Sequence, residues 1–245
     1  MTANMAPQLI VALDLSSADH ILDVVDCLPS EIKYFKIGLE LFISDGLAAL
    51  DCLRQRRKEV FLDLKLHDIP RTVARSVSAA AHHGVALLTV HAGGGHAMLS
   101  AAVDAARSCA GTPPRLVAVT TLTSLDASDL KDLGVARSLT EHTAALGEMA
   151  IAAGIDGLVC SPLEAARFRS ALGSSPLLVT PGIRPAGAKW EDQKRAATPE
   201  FAVQAGANFL VVGRPILDAP DPAAAAQAVL REMQFASRRD ASSSP

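Results

Sequence analysis

Aromatic residues are scarce in this chain, with one Trp, one Tyr and seven Phe among 245 residues. Its core must therefore be filled by aliphatic side chains. About half of the sequence is hydrophobic (49%), with Ala, Leu and Val prominent, which suits many helices packed on buried parallel strands. Positive charge is not in excess either. A formal net charge of -3 gives no global field to attract nucleic acid or an anionic membrane, so any anionic ligand must be held by local charges. Cysteines are few and far apart (Cys27, Cys52, Cys109, Cys160), with no C-x-x-C pair and no His-rich partner pattern. Neither a disulfide framework nor a zinc site is indicated, and a reducing, cytoplasmic setting fits best. No apolar run approaches the roughly 18 residues of a membrane span, and the opening MTANMAPQ lacks the basic-then-apolar order of a signal peptide. A soluble protein is expected.

What is present is a regular beat of short apolar or β-branched runs. They fall at Leu9–Leu15, Tyr34–Ile37, Val60–Leu66, Leu87–His91, Leu116–Thr121, Gly157–Ser161, Leu177–Thr180 and Asn208–Gly213, separated by Ala-rich stretches with helical spacing. Strands alternating with helices pair in parallel through right-handed crossovers, and about eight of them close on themselves. The expected fold is a single α/β domain over 1–245, a (β/α)8 TIM barrel, with residues 1–7 and the Ser-rich 237–245 as flexible tails. A doubly wound open sheet is the alternative. Against it, the loop Asp14-Leu15-Ser16-Ser17 after the first run has no glycine where that fold would carry its dinucleotide fingerprint.

The run Val60-Phe61-Leu62-Asp63-Leu64-Lys65-Leu66-His67-Asp68-Ile69-Pro70 is the most informative segment. Alternation on a strand puts Val60, Leu62, Leu64 and Leu66 on one face and Phe61, Asp63, Lys65 and His67 on the other. The leucine face suits the helix layer. Asp63 and Lys65 then point into the barrel near its C-terminal rim, where barrel enzymes place catalytic groups. The plain alternative is an ion pair on a sheet, but charges held inside a barrel lose hydration that their attraction often fails to recover. Asp14 closes the first run, Lys36 lies on the second, and Asp68 stands just beyond the third, so the set reads as an electrostatic device.

Barrels of this type bind phosphate with the loops after strands seven and eight. Here those loops are Pro181-Gly182-Ile183-Arg184 and Gly213-Arg214-Pro215. Each offers a glycine for close backbone approach and an arginine for charge-assisted hydrogen bonds to one dianion. His91 to His96 brackets three glycines, but lacks Cys or carboxylate at ligand spacing, so no metal is expected there. The glycines read as close packing at the rim, His91 as pocket floor, and His67 as a hydrogen-bonded structural histidine.

The block DLKLHDIP, with ALD at Ala12 to Asp14, KIG at Lys36 to Gly38, PGIRP at Pro181 to Pro185, DQKR at Asp192 to Arg195 and VVGRPI at Val211 to Ile216, resembles the orotidine 5′-phosphate decarboxylase family. The resemblance runs in order from about Leu9 to Ile216. It implies a Lys-Asp-Lys-Asp array at Lys36, Asp63, Lys65 and Asp68, with Lys65 as proton donor and no metal or cofactor. It further implies contacts from Asp14 and Lys36 to the ribose, from Thr123 to the pyrimidine, and from Gln193 over the phosphate, in a lid over Ile183 to Ala197. Ile69, Pro181, Gly213 and Arg214 complete the implied binding set. A homodimer is implied too, with Asp68 and Thr72 reaching the partner's site. The rivals are a magnesium-dependent keto-sugar-phosphate decarboxylase or aldolase of the same superfamily, and a catalytically silent nucleotide-binding barrel. The magnesium enzymes resemble one another in carrying a metal-binding glutamate where this chain has Lys36.

Overall fold

The computed structural model describes residues 6–185 and 197–242. Eight strands, β1 (Gln8–Leu13), β2 (Tyr34–Ile37), β3 (Glu59–Leu66), β4 (Leu87–His91), β5 (Arg115–Val119), β6 (Gly157–Val159), β7 (Leu177–Thr180) and β8 (Phe209–Val212), form a closed barrel in sequence order. Every neighbouring pair is parallel, and β8 returns to β1 through pairs such as Ile10 with Val211. Parallel neighbours need a crossover, and the helices supply it. Several start on a proline that has no N–H to leave unpaired, at Pro70, Pro162 and Pro199. The helix Leu139–Ala152 instead starts on a reciprocal cap, in which Ser138 Oγ accepts the Glu141 N–H and Glu141 accepts the Ser138 N–H. The expected (β/α)8 fold is therefore observed.

Two apolar layers hold it together. Inside the barrel, Ile10, Ala12, Phe61, Leu87, Val117, Val179, Phe209 and Val211 pack as one cluster. Outside it, alternating residues such as Val11, Phe35, Leu62, Leu88, Leu158 and Leu210 pack against the helices. Each large side chain so buried stabilises the fold by about 1.5–3 kcal/mol relative to exposure. The N-terminal end of the barrel is plugged by Tyr34 edge-on to Phe209 (5.1 Å between centroids), with the Arg115 guanidinium 5.3 Å over the Phe209 ring. The barrel is a packed core with only its C-terminal mouth free for chemistry.

Three details differ from the sequence expectation. The ladder ends earlier than the apolar runs do, at Leu13, Val119, Val159 and Val212, because the chain at the mouth turns from strand pairing into loops. Strict alternation along β3 breaks: Phe61 and Leu62 pair with Leu87 and Leu88, but the next pairing is Leu66 with Val90. Asp63, Leu64 and Lys65 thus face Thr89 alone, and Lys65 takes a left-handed backbone with φ of 50°. Finally, residues 237–242 continue the helix Pro222–Ser242 rather than forming loose tail. Ser237 Oγ donates to the Met233 carbonyl, and Arg239 pairs with Glu200 while lying over Phe235. Among the described residues no helix is long and apolar enough to cross a membrane.

Candidate active site

On the inward faces of β1 to β4, apolar residues give way to polar ones toward the mouth. Ala12 is followed by Asp14, Tyr34 by Lys36, Phe61 by Asp63, and Leu87 by Thr89. Period-two geometry sets this order, so the fold itself gathers the charges at one end.

Asp63 is the hub. Its Oδ1 accepts from Lys65 Nζ at 2.9 Å and from Thr89 Oγ1 at 3.1 Å, and its Oδ2 lies 4.0 Å from Lys36 Nζ. Lys36 Nζ also donates to Asp14 Oδ1 at 3.0 Å. Cations and carboxylates therefore alternate across three adjacent strand ends. Lys36 and Asp63 are largely withdrawn from water, with side chains 13% and 15% exposed, whereas Lys65 keeps 33% and Asp14 52%. A deeply placed carboxylate with two ammonium neighbours is a costly arrangement for stability alone. Of the two ammonium groups beside Asp63, Lys65 is the more open to a ligand.

Two adjoining clefts, of about 230 and 220 Å³, share Asp14, Lys36 and Asp63. Together they fall in the range of about 300–1,000 Å³ typical of small-molecule sites. The first is walled by Gly38, Leu39, Glu40 and Lys65. Pro181, Gly182, Arg184, Gly213 and Arg214 line the second, so the two expected arginine loops meet the charged array. Gly182 has φ of 78°, a conformation that L side chains rarely adopt. At Gly213 a Cβ would sit 2.9 Å from Asp14 Oδ2 and 3.3 Å from the Ala12 Cβ, so any other residue here would displace the Asp14 carboxylate or the loop itself. Arg184 is buried (8% exposed) and donates to the Ile183 carbonyl at 3.1 Å. The ends of the connection after β7 are tied together, Arg184 N–H to the Ala197 carbonyl and Ala197 N–H to the Gly182 carbonyl. Gln193, and most of the segment expected to form a lid, lie outside the described residues.

Other expected residues stand apart from these clefts. Asp68 is exposed, accepts the Ile69 N–H at 2.6 Å, and makes no ion pair with the described residues of its own chain. Ile69 is 66% exposed, and Thr72 sits exposed in the first turn of the helix Pro70–His82. Thr123 is half-buried in the connection after β5 and lines neither cleft. His67 is not held by a hydrogen bond among the described residues; its ring stacks on His91 at 5.0 Å and 8°. His91 is half-buried and lines neither cleft, and its Nδ1 accepts the Gly93 N–H at 3.0 Å. Burial, then the charges of His67 and Lys65, push the His91 pKa below the usual imidazole value. At Gly94 a Cβ would collide with the buried Met98 side chain, as expected of a glycine serving close packing. Among the described residues no group of three or more His, Cys, Asp or Glu is placed to hold a metal ion.

Comparison with known proteins decides the lineage. The model of the orotidine 5′-phosphate decarboxylase / HUMPS family matches residues 7–229. The chain belongs to this family. It is 46% identical over 239 residues to the orotidine 5′-phosphate decarboxylase of Sodalis glossinidius, covering 95% of this chain and 94% of that protein. To the Gluconobacter oxydans protein of the same name it is 48% identical over 232 residues, covering 94% and 98%. The crystal structure of the Lactobacillus acidophilus orotidine 5′-phosphate decarboxylase superposes with a TM-score of 0.82 at 38% identity, covering 93% of this chain and 99% of that one. Within the family frame, Thr89 is the contact that reading the sequence missed. Its signal was a lone hydroxyl inside the apolar run Leu87-Leu88-Thr89-Val90, at inward parity with Leu87.

Proposed function

We propose that this protein converts orotidine 5′-monophosphate to uridine 5′-monophosphate and CO2, as a step of pyrimidine nucleotide synthesis. One observation carries the reading: the Asp63 carboxylate, holding Lys65 Nζ at 2.9 Å and facing Lys36 Nζ at 4.0 Å, opens onto a cleft ending in Arg184 and Arg214. The family relationship narrows the substrate.

Breaking the C6–carboxylate bond leaves an electron pair in the plane of the pyrimidine, where the ring π system cannot delocalise it. Charge in the surroundings must stabilise it. The Lys65 ammonium faces the developing carbanion and then transfers a proton from Nζ to C6, CO2 departs, and solvent reprotonates the amine. Asp63 holds that ammonium in place. Asp14 and Lys36 hold the ribose, Thr123 meets the pyrimidine, and the loops at Pro181 to Arg184 and Gly213 to Arg214 take the phosphate, with Gln193 closing over it. Binding energy from the remote phosphate orders the charged array. In a cytoplasmic homodimer, Asp68 and Thr72, which are exposed and line neither of this chain's own clefts, complete the partner's site. No metal or cofactor is needed for these steps.

The test is to follow the ultraviolet change of orotidine 5′-monophosphate in EDTA with the wild-type protein and Lys65→Ala. Turnover should persist in EDTA and fall by at least about 10⁴-fold in the variant, while uridine 5′-monophosphate still binds. An active Ala variant would refute the assignment of Lys65. Activity that vanishes in EDTA and returns with Mg2+ would favour the keto-sugar-phosphate chemistry, and nucleotide binding without CO2 release would favour a silent barrel.

A further inference from the structure

Thr89 is fully buried on the inner face of β4, one layer above Leu87 and beside the irregular stretch of β3. Where Asp63, Leu64 and Lys65 face this single residue, the regular ladder cannot serve every backbone group. The Lys65 N–H is one that loses its ladder partner, and Thr89 Oγ1 accepts it at 2.7 Å. A hydroxyl has one proton to give, and with an N–H donor on one side that proton must point elsewhere. It goes to Asp63 Oδ1 at 3.1 Å, the same oxygen that receives Lys65 Nζ at 2.9 Å. The hydrogen bonds close a ring: Lys65 backbone to Thr89, Thr89 to Asp63, Asp63 back to the Lys65 ammonium. Both ends of the lysine are fixed by it.

We propose that Thr89 is the positioning residue of the site, its hydroxyl coupling the left-handed backbone of Lys65 to the carboxylate that aims the Lys65 ammonium. The role rests on the decarboxylase reading above. Thr89 touches no reacting atom; it acts through Lys65 and Asp63. Without the hydroxyl, the Lys65 N–H loses its acceptor and Asp63 loses a donor, so the lysine backbone is released and the carboxylate that aims its ammonium is held less firmly. Substrate affinity, set largely at the phosphate loops, is not expected to follow.

The experiment compares Thr89→Val, which keeps the branched shape and removes the hydroxyl, with Thr89→Ser, which keeps the hydroxyl. In Thr89→Val, kcat should fall about 10- to 100-fold while KM and the dissociation constant of uridine 5′-monophosphate stay within about threefold. Thr89→Ser should stay within about threefold of wild type in all three. An unchanged kcat in Thr89→Val, or an equal fall in Thr89→Ser, overturns the proposal. If the Val variant does not fold, Thr89→Ala is read against Thr89→Ser in the same way. Amide hydrogen exchange at Lys65 separates this idea from the functional reading. Protection in wild type and Thr89→Ser that is lost in Thr89→Val supports the hydroxyl's structural hold even if wild type releases no CO2. Equal exchange in all three overturns it.

Discussion

Replacing Asp63 by Asn keeps the shape of the hub and removes its charge. Coulomb's law at an effective dielectric of about 20 gives about 6 kcal/mol of gross attraction at the 2.9 Å separation from Lys65 Nζ and about 4 kcal/mol at the 4.0 Å separation from Lys36 Nζ. Desolvation offsets much of both, and the Lys65 end is a third exposed, so screening reduces its share further. An amide oxygen can still accept from Thr89 and Lys65, which retains part of the geometry. A net loss of about 3 kcal/mol in holding Lys65 against the reacting carbon corresponds to roughly a 10²-fold fall in kcat. The assay is decarboxylation at saturating orotidine 5′-monophosphate, with calorimetric binding of uridine 5′-monophosphate as control. Binding should change little, because the arginine loops lie at the other end of the cleft. A kcat for Asp63→Asn within about threefold of wild type would refute the view that this carboxylate aims the lysine.

Gly213→Ala should push the loop off Asp14 and disturb the Asp14–Lys36 pair, since the new Cβ would start 2.9 Å from Asp14 Oδ2. Where an overpacking cost of about 1–3 kcal/mol falls on the ligand-binding arrangement, KM rises about 5- to 160-fold, measurable by steady-state kinetics. For His91 the folded pKa is depressed, so below the ordinary imidazole value of about 6.5 the unfolded chain binds the extra proton first. Stability contributed by neutral His91 is full above that pH and declines as pH falls below it, toward the folded pKa. Denaturant titrations between about pH 7 and pH 5 should show this slope flattened in His91→Gln, and an unchanged slope would exclude His91 as its source.

Much of the fold was legible because eight aliphatic runs at even spacing leave few alternatives to a closed parallel sheet. The inward aim of Lys36 and Asp63 was legible too, since a single parity follows from Tyr34 and Phe61 lying inside. Lys65 reaches the same mouth by a different route. Strict alternation would carry it there, yet it does so through a left-handed backbone and a slipped register. Register between β3 and β4 is a nonlocal property, and nothing within DLKLHD announces it. Thr89 was overlooked for a related reason: a threonine in a β-branched run is ordinary strand chemistry until its neighbour's ladder fails. Asp68 and Thr72 were placed by family likeness alone, and a single chain shows only that they are exposed. The helical end at 237–242 was misjudged because Ser and Arg read as polar filler, whereas contacts to Met233 and Glu200 hold the last turns.

The left-handed residue in β3 has a bearing on how this protein could be altered. A non-glycine side chain in that conformation costs on the order of 1 kcal/mol, which glycine would not incur. Replacing Lys65 by glycine would relieve that strain but take one ammonium neighbour from the largely buried Asp63 carboxylate, a loss that outweighs it, so the ion pair itself holds the strained backbone in place. Variants at position 65 are therefore to be ranked by turnover and by melting temperature together, since the same side chain carries both backbone strain and the ion pair that offsets it.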